Sequence, residues 1–185
     1  MWHRQLLLST VALVLSSCTT DRTERSIASE PEGLVLAVDE GERRVLRLPG
    51  ETLLIIKVDL QNGGSQNLIM GYGALSPGEA ILPHRHPYAD EIIFAYRGSG
   101  VAVLGSRETP FGEGATIYIP RNTRVSLRNT GSEPLAIAFF FSAPGFEEYM
   151  RDLTVPEGQP VPPLSDEELA RIHARHASHI VLEQP

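Results

Sequence analysis

Between residues 53 and 141 the apolar positions fall into short runs separated by turn residues. L-L-I-I-K-V-D-L (53–60) is strongly apolar and β-branched at its centre, which predicts a buried strand. Q-N-G-G-S (61–65) predicts a turn, and N-L-I-M-G-Y-G-A-L (67–75) a strand leading into Ser76-Pro77-Gly78. E-I-I-F-A-Y (91–96), V-A-V-L (101–104), A-T-I-Y-I (115–119), T-R-V-S-L-R (123–128) and L-A-I-A-F-F-F (135–141) follow. Upstream, L-V-L-A-V (34–38) reads as a first strand, and R-V-L-R-L (44–48) alternates weakly. Many short strands with Gly or Pro turns mean an all-β sandwich or barrel. Two runs are apolar on both faces. In E-I-I-F-A-Y, Glu91, Ile93 and Ala95 turn inward and Ile92, Phe94 and Tyr96 outward. The outer face therefore needs a cover, either a partner subunit or the chain's own ends.

The pattern changes after residue 142. A-P-G-F-E-E-Y-M-R-D-L (143–153) predicts a short helix. Beyond a Pro-rich connector, Ser165 is an N-cap with Glu168 at N3, a capping box, and Leu164 can staple onto Leu169. Leu169, Ile172, His173 and His176 share one face of the helix that follows. The other end of the chain is different again. His3 and Arg4 precede a ten-residue apolar run, L-L-L-S-T-V-A-L-V-L, of signal-peptide length and too short to span a bilayer. Residues 19–33 are polar and read as a flexible tether. The expected organisation is thus a signal peptide (1–17), a tether (18–33), a β-barrel (34–142) and a C-terminal helical extension (143–185).

Composition adds two exclusions. A net charge of −7 over 185 residues, with the basic residues scattered, argues against nucleic acid. Cys18 is the single cysteine, so no intramolecular disulfide forms.

The candidate chemistry lies between Gly78 and Gly98. In an extended chain His84 and His86 point to one face, flanked by Pro83 and Pro87. After a turn, Glu91 opens the next strand and returns a carboxylate to the same point. Two imidazoles and a carboxylate form the ligand set of a borderline divalent metal, iron(II) or a similar ion where positions stay open.

Gly78, His84, His86, Glu91 and Gly98 stand at the spacing G-x5-H-x-H-x4-E-x6-G, which resembles the first motif of the cupin superfamily. The second motif, G-x5-P-x-G-x2-H-x3-N, is met by Gly114, Pro120 and Asn129; Asn122 replaces its turn glycine and Val125 its histidine. The P-G-F-E-x-Y segment and the final helix resemble the tail of bacterial single-domain cupins, so the resemblance covers roughly residues 50 to 180. It implies a jelly-roll barrel with a short helical tail, Glu91 facing His84 and His86 from a neighbouring antiparallel strand, and Val125 turned to the same interior. It also implies a divalent metal (Fe, Mn or Zn) on His84, His86 and Glu91, with Val125 leaving the family's usual fourth place unfilled. Cupins commonly dimerise, which favours a homodimer as the cover for the outer face. His173, His176 and His179 read as the edge of a helix face; the competing reading has one of them replacing the ligand missing at Val125.

L-S-S-C (15–18) resembles the lipobox, in which the cysteine after the cleavage site carries acyl chains. This implies a lipoprotein anchored through Cys18 and facing the periplasm, on the outer membrane because Thr19 is not aspartate. Two functions follow. One is a metal-dependent enzyme, dioxygenase-like with iron, or isomerase-like with zinc or manganese, acting on a small organic substrate. The alternative is a non-catalytic module binding a small molecule in the barrel.

Overall fold

The apolar runs fold into two antiparallel sheets. The computed structural model describes residues 33–48 and 52–183. The first sheet takes in β1 (Glu42–Leu46), β2 (Leu53–Val58), β3 (Ile69–Leu75), β5 (Glu91–Arg97), β8 (Thr116–Ile119), β10 (Leu135–Phe141) and β11 (Thr154–Pro156), in the order β11-β1-β2-β3-β10-β5-β8. The second holds β4 (Ala80–Arg85), β6 (Ser99–Leu104), β7 (Arg107–Gly112), β9 (Val125–Asn129) and β12 (Val181–Leu182), in the order β12-β4-β9-β6-β7. Two helices, α1 (Phe146–Leu153) and α2 (Asp166–Arg175), follow the main strands.

The two-residue period sets what is inside. β3 buries Ile69, Gly71, Gly73 and Leu75, and β5 buries Glu91, Ile93 and Ala95. Ile56, Ile93, Phe139 and Phe141 of the first sheet share one core with Phe111, Val125 and Leu127 of the second. Burying each such side chain stabilises the fold by about 1.5–3 kcal/mol. The motif residues outside the site hold the turns. Asn129 is buried and donates from its Nδ2 to the carbonyls of Leu75 and Glu133, 2.8 Å each. Gly98 has a φ of 86° and sits against the Pro134 backbone, where a Cβ has no room. Asn122, the substitute for the second motif's glycine, adopts φ 62°, the left-handed conformation that asparagine tolerates.

Two expectations change, and one strand appears that the hydropathy pattern did not mark. Residues 34–38 are not a strand, and Val35 is 95% exposed. The buried Lys57 ammonium accounts for this: it donates to the carbonyls of Ala37, Val38 and Glu40, so the chain curls round a point charge. R-E-T-P-F-G (107–112) is a strand despite Pro110, because β7 lies at an edge and pairs with β6 alone. The C-terminal extension is not only helical: it adds β11 to one sheet and β12 to the other. The helices themselves form as expected, and Ser165 and Glu168 make the reciprocal capping box. Signal peptide, Cys18 and tether up to residue 32 lie outside the described residues. Among the described residues no helix is long and apolar enough to cross a membrane.

Candidate metal centre

His84 stands at the end of β4 and His86 just beyond it. Pro83 interrupts the ladder there, and the register of β4 on β9 shifts between Ile81 and His84. Pro83 has no N–H to contribute, so an irregularity falls where it is least costly. The two imidazoles meet edge to face, with ring centroids 4.9 Å apart. Glu91 opens β5, which lies in the opposite sheet. It therefore does not face the histidines from a neighbouring strand; it reaches them across the barrel interior, because the turn at residues 87–90 carries the chain from one sheet to the other. One ligand atom from each of His84, His86 and Glu91 falls within 4.8 Å of the others.

The surroundings fix both rings. His84 Nδ1 lies 2.8 Å from the Leu82 carbonyl, and His86 Nδ1 2.8 Å from the His179 carbonyl. A carbonyl only accepts, so each Nδ1 carries the proton and each Nε2 keeps its lone pair. Phe141 and Phe146 press edgewise on the His86 ring, each with its centroid 4.7 Å away. The Asn122 N–H donates to the His86 carbonyl at 2.7 Å, so the second motif's turn anchors the first motif's backbone.

His86 Nε2 and Glu91 Oε2 are buried and 3.5 Å apart, and neither has a hydrogen-bond partner among the described residues. Burial, then the neighbouring His84, pushes His86 down to about 3, and burial pushes the Glu91 carboxyl up to about 8. Burial also lowers His84. Without an ion all three are neutral at pH 7, so the His86–Glu91 contact is not an ion pair. Two atoms each about 2.1 Å from one ion stand roughly 3–3.5 Å apart. The two orphaned atoms have that separation, so the residues present fit a divalent metal.

Val125 opens β9 opposite His84 in register and is fully buried. Directly opposed residues share a face, so the methyls of Val125 sit where the motif's histidine would be. The rings of His173, His176 and His179 do not join the cluster. His176 is spent on Asp152, 2.8 Å away. The terminal segment nonetheless reaches the centre, which sequence spacing gave no reason to expect: His179 lends its carbonyl, β12 pairs with β4, and His173 lines the adjoining pocket. A backbone acceptor leaves no mark in a sequence. That pocket has a volume of about 520 Å³ and runs from the triad past Leu54, Gly73 and Phe139 to Tyr149 and His173.

Residues 71–141, which carry His84, His86, Glu91 and Val125, match the family described as "Cupin domain". This stretch is a cupin domain. It is similar in sequence to Protein SchB of Streptomyces halstedii, 32% identical over 76 residues, or 41% of this chain and 55% of that protein. It is similar also to the tetracenomycin polyketide synthase protein TcmJ of Streptomyces glaucescens, 27% identical over 79 residues, or 43% of this chain and 53% of that one. The chain spans about half the length of these curated relatives. An RmlC-like cupin from Shewanella frigidimarina has the same fold, with a TM-score of 0.52 over 63% of this chain and 96% of that one; at 10% identity the likeness is one of fold. The cupin domain thus supplies the triad, and residues 143–183 close the space beside it.

Proposed function

We propose that this chain is a metal-dependent cupin acting on a small organic molecule, with one iron, manganese or zinc ion on His84, His86 and Glu91. The observation that carries this is the pair of buried, unpartnered atoms, His86 Nε2 and Glu91 Oε2, converging with His84. Such an ion supplies Lewis acidity and, as iron(II), an open face for dioxygen. The chain's own residues do the rest. The Leu82 and His179 carbonyls hold both imidazoles in the coordinating tautomer. Phe141 and Phe146 exclude water from His86, and the apolar pocket wall orients what enters. Isomerase-like and oxygenase-like chemistry both fit this arrangement.

Elemental analysis of the purified full chain tests it. His84→Ala, His86→Ala and Glu91→Ala are each expected to abolish stoichiometric metal, and His173→Ala and His176→Ala to retain it. A wild-type chain without metal after incubation with all three ions overturns the reading. Val125 favours a second reading, a non-catalytic binding module, because it leaves three protein ligands where the family's usual set has four. Ligand binding without turnover in a metal-loaded sample would select it.

We also infer a lipid anchor at Cys18 that holds the domain on the periplasmic side of the outer membrane, and pairing of two copies through the outer face of the first sheet. L-S-S-C supports the first. Cross-strand rows support the second. Tyr118, Ile92 and Phe140 lie side by side with Phe94 beside them, and all four are exposed.

A further inference from the structure

The shape and charge of the pocket specify its occupant more closely than the triad does. On the inner face of β3 two glycines alternate, and the sheet treats them differently. The ring of Phe139 fills the space that a Cβ at Gly71 would need. Gly73, opposite Leu54 on one side and Ile137 on the other, is left open: a Cβ there meets nothing nearer than Leu54 Cδ1 at 3.9 Å. A glycine inside a strand weakens it unless something approaches the backbone closely. At Gly73 no side chain does so, and the space belongs to the pocket.

Charge narrows the class further. No lysine or arginine lines this pocket among the described residues, and Pro49-Gly50-Glu51, between the lining residues Leu48 and Thr52, adds none. The Glu79 carboxylate is engaged, accepting from the Ser76 N–H at 2.6 Å and the Thr52 hydroxyl at 3.3 Å. Thr154 donates to the Met150 carbonyl at 2.6 Å. Beyond the triad, the uncommitted polar groups on the wall are the Tyr149 hydroxyl and the His173 ring, neither hydrogen-bonded among the described residues. Burial raises Tyr149 to about 12 and lowers His173, so both are neutral at pH 7. A divalent ion with ionised Glu91 leaves one positive charge to be met at the triad. A second anion further out would be stripped of water with no cation to receive it, at a cost of several kcal/mol.

We propose that the pocket takes an uncharged, mostly apolar ring compound, which offers an oxygen donor to the triad and lays its apolar body over Gly73 toward Tyr149 and His173. Dicarboxylates, sugar phosphates and other polyanions are excluded. The proposal rests on the metal reading for the donor end alone; the body of the ligand is recognised by the wall.

Calorimetric titration of the full chain tests this, with hydroxyacetonaphthone, an uncharged hydroxyketone on a fused-ring body, against oxalate and glucose phosphate. Each probe is run on metal-loaded and metal-free protein, after titration with the metal alone. Hydroxyacetonaphthone should bind the loaded form at least about tenfold tighter than either anion, and still bind the metal-free form measurably. Gly73→Val fills the open space without touching the triad. It should weaken hydroxyacetonaphthone at least about tenfold while leaving metal stoichiometry and the melting temperature near wild type. Leu82→Lys, on the exposed rim, should raise the affinity for glucose phosphate. Either anion matching hydroxyacetonaphthone on the wild type, or Gly73→Val leaving its affinity unchanged, overturns the proposal. If the metal does not bind yet the preference and its sensitivity at Gly73 persist, the metal reading falls and the ligand class stands. Metal binding with an anion preference is the reverse.

Discussion

His86 and Glu91 titrate in opposite senses, and the sign of each gives a measurable slope. Glu91 is raised above its ordinary 4.5 to about 8. Its contribution to the metal-free fold is therefore full at low pH and is lost as pH rises toward about 8, where the unfolded chain has already released the proton. His86 is lowered from 6.5 to about 3, so the unfolded chain takes up a proton first and stability rises with pH across that lower window. Above 6.5 the unfolded histidines, His84 and His173 included, lose their remaining protons, and Glu91 comes to set the slope. Metal-free protein should lose on the order of 1–2 kcal/mol between pH 6.5 and 8 in urea melts, and both Glu91→Gln and saturating metal should flatten the slope, since a metal-bound Glu91 is ionised in the folded chain as in the unfolded one. A wild-type slope that survives in Glu91→Gln would assign it elsewhere. Val125 carries the second residue-scale prediction. Because it opposes His84 in register, Val125→His should tighten metal at least about tenfold by adding a donor on the same face, read by competition with a chelator. Unchanged affinity would mean that the centre is complete with three ligands. The residues behind both predictions were legible in the sequence, since ligand types at alternate positions of an extended stretch betray a shared face. Gly71 and Gly73 were legible only as strand interruptions; which of them faced empty space depends on Phe139, contributed from sixty-odd positions away.

At the scale of elements, the least legible pieces are those that complete the site. β11 and β12 have three and two residues, too few for any periodicity. The Lys57 contacts that convert 34–38 from strand to coil are equally invisible in a hydropathy pattern. By contrast α2 was readable to its cap, because Ser165 and Glu168 act locally. β12 binds the ligand-bearing strand directly: Val181 opposes Arg85, Leu182 opposes His84, and Glu183 pairs with Arg124 at 3.2 Å. Deleting residues 177–185 removes this strand and the His179 carbonyl while leaving each strand from β1 to β10 at least one partner, β4 keeping β9. Metal affinity should fall about 10- to 100-fold, as when a ligand's outer hydrogen bond is lost, with the far-UV circular dichroism still that of a β-protein. Full affinity in the truncated chain would show that His86 needs no orienting acceptor.

For the whole molecule, the exposed aromatic rows give the proposed pairing a direct test. Phe94→Glu places a charge in the middle of the outer face and should convert a dimer to a monomer in sedimentation velocity without changing the melting temperature by more than a few degrees. A monomeric wild type would instead leave the covering to the chain's own N-terminal stretch, where residues 34–38 already border Met70, Tyr72 and Tyr96. At the other end of the same question, Cys18→Ser should release the protein from membranes or leave it unprocessed; a wild type that is fully soluble with a free thiol would refute the anchor. One contact reaches beyond geometry into time. The carbonyl that fixes His86 belongs to a residue 93 positions downstream. At about 5–20 residues per second of synthesis, roughly 5–20 s separate the histidine's emergence from that of its orienting partner. Throughout that interval a growing chain has the ligands but no built centre. An exported chain would finish folding only after crossing the membrane, so the ion it acquires is drawn from the metal supply of its destination rather than from that of the ribosome's compartment.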